Sequence, residues 1–136
     1  MITCIAGSRD IYDNAANLLI LEDVISQLPW KISTVVSGMA SGADSLGETW
    51  AKKHNILVNR KPADWKTYGK RAGMIRNSQM ARESEAVVCL WDGVSRGTKN
   101  MFETSIERGL PVCVATIGGG KILSVNFSNI KTLTVL

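Results

Sequence analysis

The sequence predicts an α/β fold: a Rossmann-like three-layer sandwich with a mostly parallel sheet of about five core strands and a short C-terminal β extension. Short runs that are apolar throughout alternate along the chain with longer amphipathic stretches. Uniformly apolar strands are typical of a parallel sheet that helices cover on both faces. The length of 136 residues fits a single domain spanning residues 1–136.

The predicted elements alternate as strand and helix up to residue 116. Apolar, β-prone runs predict strands over residues 1–6, 33–36, 56–58, 86–91 and 110–116. Apolar residues at helical spacing predict helices over residues 13–28, 43–54, 70–83 and 99–108, and Pro29 ends the first of them. Residues 62–69 and 92–98 are expected to form loops.

The C-terminal segment, residues 117–136, differs from the rest of the chain. Three consecutive glycines at 118–120 predict a flexible break, and apolar and polar residues alternate from 123 to 127 as in a half-buried strand. Because residues 131–136 are also β-prone, we expect one or two edge strands here, or a contact within a homo-oligomer.

Charge is distributed unevenly along the chain. Residues 1–51 carry two basic and six acidic side chains, residues 52–82 carry nine basic side chains and one acidic, and the remainder carries five of each sign. The basic middle third suggests an anionic partner, either a phosphate-bearing small molecule or nucleic acid. A solvated surface helix and loop would show the same pattern.

Several classes of protein are disfavoured. No apolar run approaches the ~20 residues of a membrane-spanning helix, and the first residues lack the charged and apolar regions of a secretory signal. Cys4, Cys89 and Cys113 each lie in an apolar run, with spacing that predicts neither disulfides nor zinc. We therefore expect a cytoplasmic protein with reduced, buried cysteines, no metal, no cofactor and no membrane partner.

Ligands of open parallel sheets bind outside the carboxyl ends of the strands, so the loops that follow strands are the candidate sites. The first such loop is Gly7, Ser8 and Arg9. Glycine allows close backbone approach to a ligand, the serine hydroxyl and the amides can hold a phosphate oxygen, and arginine supplies a fork of donors.

The second loop, residues 37–44, consists of small residues and leads into a helix N-terminus, where free N–H groups favour anions. An alternative interpretation is a capping box, with Ser41 as N-cap and Asp44 as its partner. The loop matches neither the Walker pattern nor G-x-G-x-x-G. Its candidate ligand-binding residues are Ser37, Gly38, Gly42 and Ala43.

Asp44 and Glu48 are four residues apart and therefore share one face of the following helix. Either carboxylate could contact a ribose hydroxyl or serve as a general base, which makes both candidate catalytic residues. Glu48 could equally pair with Lys52 on the same helix.

The third loop again offers hydroxyls, a glycine and an arginine ahead of a helix, in Ser95, Arg96, Gly97 and Thr98. In the basic middle third, Gly73, Arg76, Asn77 and Met80 lie close to one helical stripe, so Arg76 and Asn77 are expected to face a ligand. Trp65 is a further candidate, because it is interleaved with lysines as in proteins that stack single-stranded nucleic acid.

These motifs together resemble the SLOG superfamily (the Smf/DprA and LOG group), and within it the small stand-alone YspA/YpsA-like proteins. The motifs that carry the resemblance span residues 1 to about 116, in order: Gly7-Ser8-Arg9, residues 37–44, Pro62 through Trp65 to Gly69, residues 72–80, and Ser95-Arg96-Gly97-Thr98. The resemblance implies a Rossmann-like fold that binds nucleotides or nucleotide-derived ligands, often as a homo-oligomer. Relatives include N-glycosidic hydrolases of nucleoside monophosphates and proteins that bind single-stranded DNA.

One position departs from the pattern of the LOG-type hydrolases. Their Pro-Gly-Gly-x-Gly-Thr-x-x-Glu motif carries a glutamate that acts in glycosidic cleavage, and Met101 occupies that position here. Glu103 lies about 200° further around the helix and should not replace the glutamate. Any hydrolysis would then need Asp44 or Glu48.

Three functions remain open from the sequence. The first is nucleotide binding in sensing, sequestration or processing; the second is a nucleoside-phosphate N-glycosidase or phosphoribosyl-transfer enzyme. The third is binding of single-stranded nucleic acid by the basic middle third. The first is favoured, since a single cleft that binds the phosphate groups of a small ligand also explains the arginines and lysines.

Overall fold

The computed structural model describes residues 1–133 and confirms the predicted fold class. Six strands form one sheet: β1 (Ile2–Gly7), β2 (Thr34–Ser37), β3 (Leu57–Arg60), β4 (Ala86–Trp91), β5 (Val112–Gly118) and β6 (Lys121–Ser128). Their order across the sheet is β3-β2-β1-β4-β5-β6, in which β1 to β5 are parallel and β6 is antiparallel to β5.

The helices lie on both faces of the sheet. They are α1 (Ala15–Ser26), α2 (Ala43–Lys53), the single-turn α3 (Trp65–Tyr68), α4 (Ala72–Glu83) and α5 (Arg96–Glu107), with 3-10 turns at Gly69–Arg71 and Ile130–Leu133. Ile5 packs in the core that contains residues of α1 and α2, whereas its neighbours Cys4 and Ala6 pack with residues of α4 and α5. The three layers thus follow from the alternation of side chains along each strand.

The strand order places a topological switch point between β1 and β4. The chain runs from β1 outward through β2 to β3, and then returns to pair β4 with the other side of β1. The loops after β1 and β4 therefore diverge to opposite faces and leave a crevice at their carboxyl ends, where open α/β sheets bind ligands.

Two sequence-based assignments near the candidate site were wrong. Helix α5 begins at Arg96 rather than residue 99, so much of the third candidate loop is the first turn of a helix. A short helix, α3, interrupts the predicted loop 62–69. Of the one or two edge strands expected in residues 117–136, the structure has one, at Lys121–Ser128; residues 130–133 form a 3-10 turn, and residues 134–136 lie outside the described residues.

The predicted C-terminal β extension is strand β6. Gly119 and Gly120 both have positive φ, at 58° and 74°, and make a tight hairpin turn between β5 and β6 rather than a flexible break. Residues beyond this turn form the sheet edge next to β5.

The cysteines are buried and unpaired, as the sequence indicated. Burial raises the pKa of the Cys113 thiol to about 12 and those of Cys4 and Cys89 above their ordinary values. In the described chain, residues 1–133, no helix is long and apolar enough to cross a membrane.

Gly47 brings α2 into close contact with β1. A Cβ atom at this position would lie 2.8 Å from Cγ2 of Ile5, which is fully buried beneath the helix. We expect Gly47→Ala to destabilise the protein by about 1–2 kcal/mol, because overpacking outweighs the ~1 kcal/mol gain in helix propensity. Urea denaturation measures the change.

Gly97→Ala is the matched control for this substitution. Gly97 also lies in a helix, but a Cβ there would meet no atom within 4 Å. It should leave stability unchanged or raise it by up to about 1 kcal/mol. An equal decrease in the free energy of unfolding in both variants would contradict the packing explanation.

Candidate functional site

A cleft of about 430 Å³ lies at the carboxyl ends of β1 and β4, at the switch point of the sheet. Its walls come from the loops after β1, β2 and β4 and from helices α3, α4 and α5. Eleven of the candidate residues line it: Gly7, Ser8, Arg9, Asp44, Trp65, Arg76, Asn77, Ser95, Arg96, Gly97 and Thr98. Five do not: Ser37, Gly38, Gly42, Ala43 and Glu48.

Two of the glycines serve contacts between loops rather than contacts with a ligand. Gly42 has a φ of 78°, and a Cβ atom there would collide with the backbone of Arg9. A Cβ on Gly7 would collide with the Leu90 carbonyl oxygen and approach the Ala43 Cβ to 2.8 Å. These positions therefore let the loops after β1 and β2 and the end of β4 pack backbone to backbone.

Three amides of the second candidate loop are bonded within the protein. The Met39 N–H donates to the Ser37 hydroxyl (3.1 Å), and the Ala43 N–H donates to the Ser8 carbonyl (3.2 Å). The Ala40 N–H donates to the Asp44 carboxylate (3.2 Å). These three N–H groups are therefore engaged in holding the loop rather than open to a phosphate.

The capping-box interpretation of this loop was wrong. The N-cap of α2 is Gly42, which makes no side-chain capping bond, and Ser41 is exposed. Asp44 reaches back to the Ala40 amide instead of capping with Ser41.

The N-terminus of α5, by contrast, opens into the cleft without a side-chain cap. The hydroxyl of its N-cap residue, Ser95, donates to Asp92 (2.9 Å) and so does not bind the helix. Helix geometry leaves the N–H groups of Arg96, Gly97 and Thr98 without intrahelical acceptors. Because a Cβ atom at Gly97 would meet no atom within 4 Å, this end of α5 is accessible from the cleft, and uncapped helix N-termini of this kind favour anions.

Asp92 shapes this end of the cleft, although it was not among the site residues predicted from the sequence. Its carboxylate accepts hydrogen bonds from the Val94 and Ser95 amides at 2.9 and 2.7 Å. Partial desolvation raises its pKa, but these bonds and those from the Ser95 and Ser8 side chains outweigh it and lower the pKa to about 2. An Asp followed by Gly and Ser after a strand is the local signal for such a turn.

The hydroxyl of Ser8 is also occupied within the protein. It accepts the Asp92 N–H (3.1 Å) and lies 3.4 Å from the Thr98 hydroxyl. Ser8 and Thr98 are both buried. Their side chains hold the loop after β1 against the start of α5.

Arg76 and Asn77 connect three of the segments around the cleft. Arg76 Nη1 donates to the Gly38 carbonyl (2.7 Å), and its Nε donates to Asn77 Oδ1 (3.2 Å). The Asn77 amide group donates to the Gly97 carbonyl (3.2 Å) and to Asn100 (3.1 Å). The loop after β2, helix α4 and the first turn of α5 are held by one hydrogen-bonded chain.

Gly38 is required for this arrangement. A Cβ atom there would lie 2.7 Å from Arg76 Nη1 and 2.8 Å from Asp44 Oδ2. Its missing side chain leaves the space in which the guanidinium and the buried carboxyl approach the loop.

Asp44 is the buried titratable group of the cleft, with 3% of its surface exposed. Burial raises its pKa from 3.8 to about 6, against the stabilising effects of the Ala40 amide, Arg76, the Gly7 backbone and Arg9. A carboxyl with this pKa can hold or release a proton near neutral pH, which is the property of a general acid or base.

Glu48 does not join Asp44 in the cleft. One of its carboxylate oxygens accepts the Ser37 hydroxyl (2.6 Å), and the other pairs with Arg60 Nη2 (2.8 Å) on β3. The expected alternative, a pair with Lys52, is replaced by this contact with β3. The two carboxylates therefore do not form a pair around one ligand.

The residues at the LOG glutamate position agree with the sequence argument. Met101 is buried and lines the cleft. Glu103 is about half exposed, lies 4.0 Å from Lys99, and is not among the residues that line the cleft.

The cleft carries more cationic than anionic side chains. Asp10, Asp44 and Asp92 are its carboxyl groups, whereas the cationic residues that line it are Arg9, Lys70, Arg76 and Arg96. Trp65 covers one side of the cleft with half of its surface exposed. The arrangement suits an anionic ligand that also has an uncharged planar part.

The raised pKa of Asp44 predicts how stability depends on pH. Between about pH 4 and pH 6 the folded state holds a proton that the unfolded state has lost, so stability falls as the pH rises through this window. Above pH 6 the folded state carries the buried carboxylate in its ionised form, and the free energy of unfolding is then lower by about 3 kcal/mol, at ~1.4 kcal/mol per pKa unit.

We therefore expect Asp44→Asn to be more stable than the wild type at pH 8, by about 1–3 kcal/mol, because the amide carries no charge to desolvate. Urea denaturation at pH 4 and pH 8 measures the difference. The two proteins should be equally stable at pH 4, which is the internal control. An Asn variant that is less stable at pH 8 would contradict the explanation.

Comparisons with known proteins agree with the geometry. A family model described as the YspA, cpYpsA-related SLOG family matches residues 1–68, half of the chain. The Gene 61 protein of Mycobacterium phage D29 is similar to the chain, with 34% identity over 115 residues that cover 79% of this chain and 90% of the phage protein. No solved structure gives a significant match. The chain belongs to the YspA, cpYpsA-related SLOG family, which indicates nucleotide-related binding or processing in the broad sense.

Proposed function

We propose that the cleft binds a nucleotide or a nucleotide-derived ligand, in sensing, sequestration or processing. The observation that carries the proposal is the uncapped N-terminus of α5, which opens into the cleft beside the cationic side chains of Arg9, Lys70 and Arg96. Free N–H groups, the helix dipole and nearby guanidinium groups together make a phosphate site. The volume of about 430 Å³ lies in the range of small-ligand sites, ~300–1,000 Å³.

The ligand-binding roles divide among the residues of the cleft. The phosphate lies on the amides of Arg96, Gly97 and Thr98, and the Arg9 and Arg96 side chains neutralise it. Asp44 contacts the sugar, for which a carboxylate is a suitable acceptor of hydroxyl protons. Arg76 is already bound to Gly38 and Asn77 and acts mainly by holding the cleft together.

A carboxylate at position 97 should block the phosphate site. We expect Gly97→Asp to abolish the rise in melting temperature caused by nucleotides, because its charge occupies the end of α5 and repels a phosphate. The same charge stabilises the helix by ~0.3–1 kcal/mol, so the unliganded variant should be at least as stable as the wild type. Thermal unfolding with a panel of ribonucleoside mono-, di- and triphosphates measures both effects.

Gly97→Ala is the uncharged control and should keep most of the nucleotide effect. A second pair, Arg96→Ala against Arg71→Ala, tests the guanidinium, since both side chains are exposed and only Arg96 lines the cleft. A full nucleotide effect in Gly97→Asp would contradict the phosphate position. No effect of any nucleotide on the wild type would overturn the proposed function.

Asp44 favours a second candidate function, hydrolysis of an N-glycosidic bond in a nucleoside phosphate. In that reaction water adds across the bond from the sugar to the base, and the base leaves with a proton. A carboxylate beside the sugar can stabilise the oxocarbenium-like centre or accept the proton of the water. Burial in the cleft supports this role for Asp44 and not for Glu48.

If the protein is this enzyme, incubation with nucleoside monophosphates should release free base, which chromatography detects. Asp44→Asn should lower the rate by at least ~100-fold, the usual contribution of a general acid or base. Glu48→Gln should retain most of the activity, because Glu48 faces Arg60. Equal activity of wild type and Asp44→Asn would exclude this chemistry.

Binding of single-stranded nucleic acid is the less favoured alternative, because several cations of the basic middle third have other partners. Of the cations in the basic middle third, Lys53 pairs with Glu22, Arg60 with Glu48, and Lys61 with Glu83. Lys70 and Arg76 line the cleft. A continuous basic track along residues 52–82 is therefore interrupted by acidic partners.

A further inference from the structure

A side lobe of about 280 Å³ adjoins the cleft between the loop after β2 and the loop before α3. The lobe and the cleft share four wall residues: Arg9, Ala40, Trp65 and Arg76. We propose that this side lobe holds the base of a nucleotide whose phosphate lies at the N-terminus of α5. The inference rests on the proposed function and specifies the ligand as one that carries both a phosphate and a base.

Charge is divided unequally between the two spaces. The open end of α5 and the side chains of Lys70 and Arg96 line the cleft and not the side lobe. The charged residues of the side lobe are the two arginines that it shares with the cleft, and one of them, Arg76, already donates to the Gly38 carbonyl. The donors for a phosphate are therefore more numerous in the cleft, which leaves the side lobe for the uncharged end of the ligand.

The walls of the side lobe suit a flat ring. Met39, Pro62, Ala63 and Trp65 contribute apolar surface, and sulfur, aromatic and guanidinium groups all contact ring faces or edges favourably. The volume equals that of about nine water molecules at ~30 Å³ each, which is room for one planar base.

Met39 supplies an independent observation. Its φ of 61° is in the left-handed region, which glycine and asparagine adopt at lower cost than methionine. Its side chain is 51% exposed and therefore adds little to the core. The methionine at this position neither packs in the core nor lowers the cost of the left-handed backbone conformation. We therefore assign its side chain to the wall that contacts the ligand.

Trp65 stands between the two spaces and lines both. Half of its surface is exposed, and Cη2 of its ring lies beside Gly73 of α4, about 3.5 Å from where a Cβ atom on this glycine would be. Asp64 caps α3 by accepting the Thr67 N–H (3.1 Å) and so fixes the turn that carries the indole. The indole surface that remains exposed is available to stack on a base.

Calorimetric titration with the four ribonucleoside 5′-monophosphates and with ribose 5-phosphate, which lacks a base, tests the inference. We expect the full chain to bind at least one monophosphate about tenfold more tightly than ribose 5-phosphate, because a stacked base adds affinity. Ala63→Trp should fill the side lobe and remove this preference. Ribose 5-phosphate should bind both proteins equally.

Met39→Asn tests the same point without adding bulk. Asparagine relieves the backbone, so the melting temperature should stay the same or rise, while the preference for the monophosphate falls several-fold. Leu57→Asn is the matched control: Leu57 is 78% exposed on β3, outside the side lobe, and its loss should leave the preference intact.

The outcomes separate this inference from the proposed function. Equal affinity of the wild type for monophosphates and ribose 5-phosphate overturns the side lobe as a base site and leaves the phosphate site standing. If both Ala63→Trp and Met39→Asn still bind the monophosphate more tightly than ribose 5-phosphate by the wild-type factor, the side lobe is likewise excluded as the base site. Failure of all five compounds to bind the wild type overturns the inference, and the proposed function falls with it if the di- and triphosphates also leave the melting temperature unchanged.

Discussion

The hydrogen bond from the Arg76 guanidinium to the Gly38 carbonyl holds the site together. It is formed because Gly38 has no side chain, and it fixes α4 against the loop after β2. Asn77 extends the same chain to the Gly97 carbonyl in the first turn of α5. This link therefore fixes the N-terminus of α5, the surroundings of Asp44 and the cleft wall relative to one another, although the segments that it joins follow different strands.

The same link balances the electrostatics of the cleft. Asp44 is buried at a cost that raises its pKa, and the guanidinium groups of Arg76 and Arg9 offset part of that cost. Three amides of the loop after β2 are used for hydrogen bonds within the protein, whereas the N-terminus of α5 has no side-chain cap. One end of the cleft thus presents an uncapped helix N-terminus, while the other holds a carboxyl whose pKa is raised to about 6.

Much of the fold could be predicted from the sequence, whereas the roles of the individual residues within the candidate site could not. Helix α2 was placed correctly because Leu46, Trp50 and Ala51 recur at helical spacing after the loop that ends at Gly42. Helix α5 was placed three residues late, since Ser95, Arg96 and Gly97 look like a loop until Asp92 is seen to hold the turn before them. Glu48 shares a helix face with Asp44, but its carboxylate pairs with Arg60 on β3 and does not line the cleft.

By itself, the sequence determined the β–α alternation, the apolar strands, the burial of the cysteines and the loops in which a ligand would be sought. These features depend on periodicity and local composition, which act over a few residues. Only the tertiary structure decided which helix N-terminus opens uncapped into the cleft, which carboxyl is buried there, and that a side lobe opens beyond Trp65. Those properties depend on hydrogen-bond partners and walls from distant segments, such as Ser8 with Ala43 and Arg76 with Gly38, and spacing along the chain does not encode them.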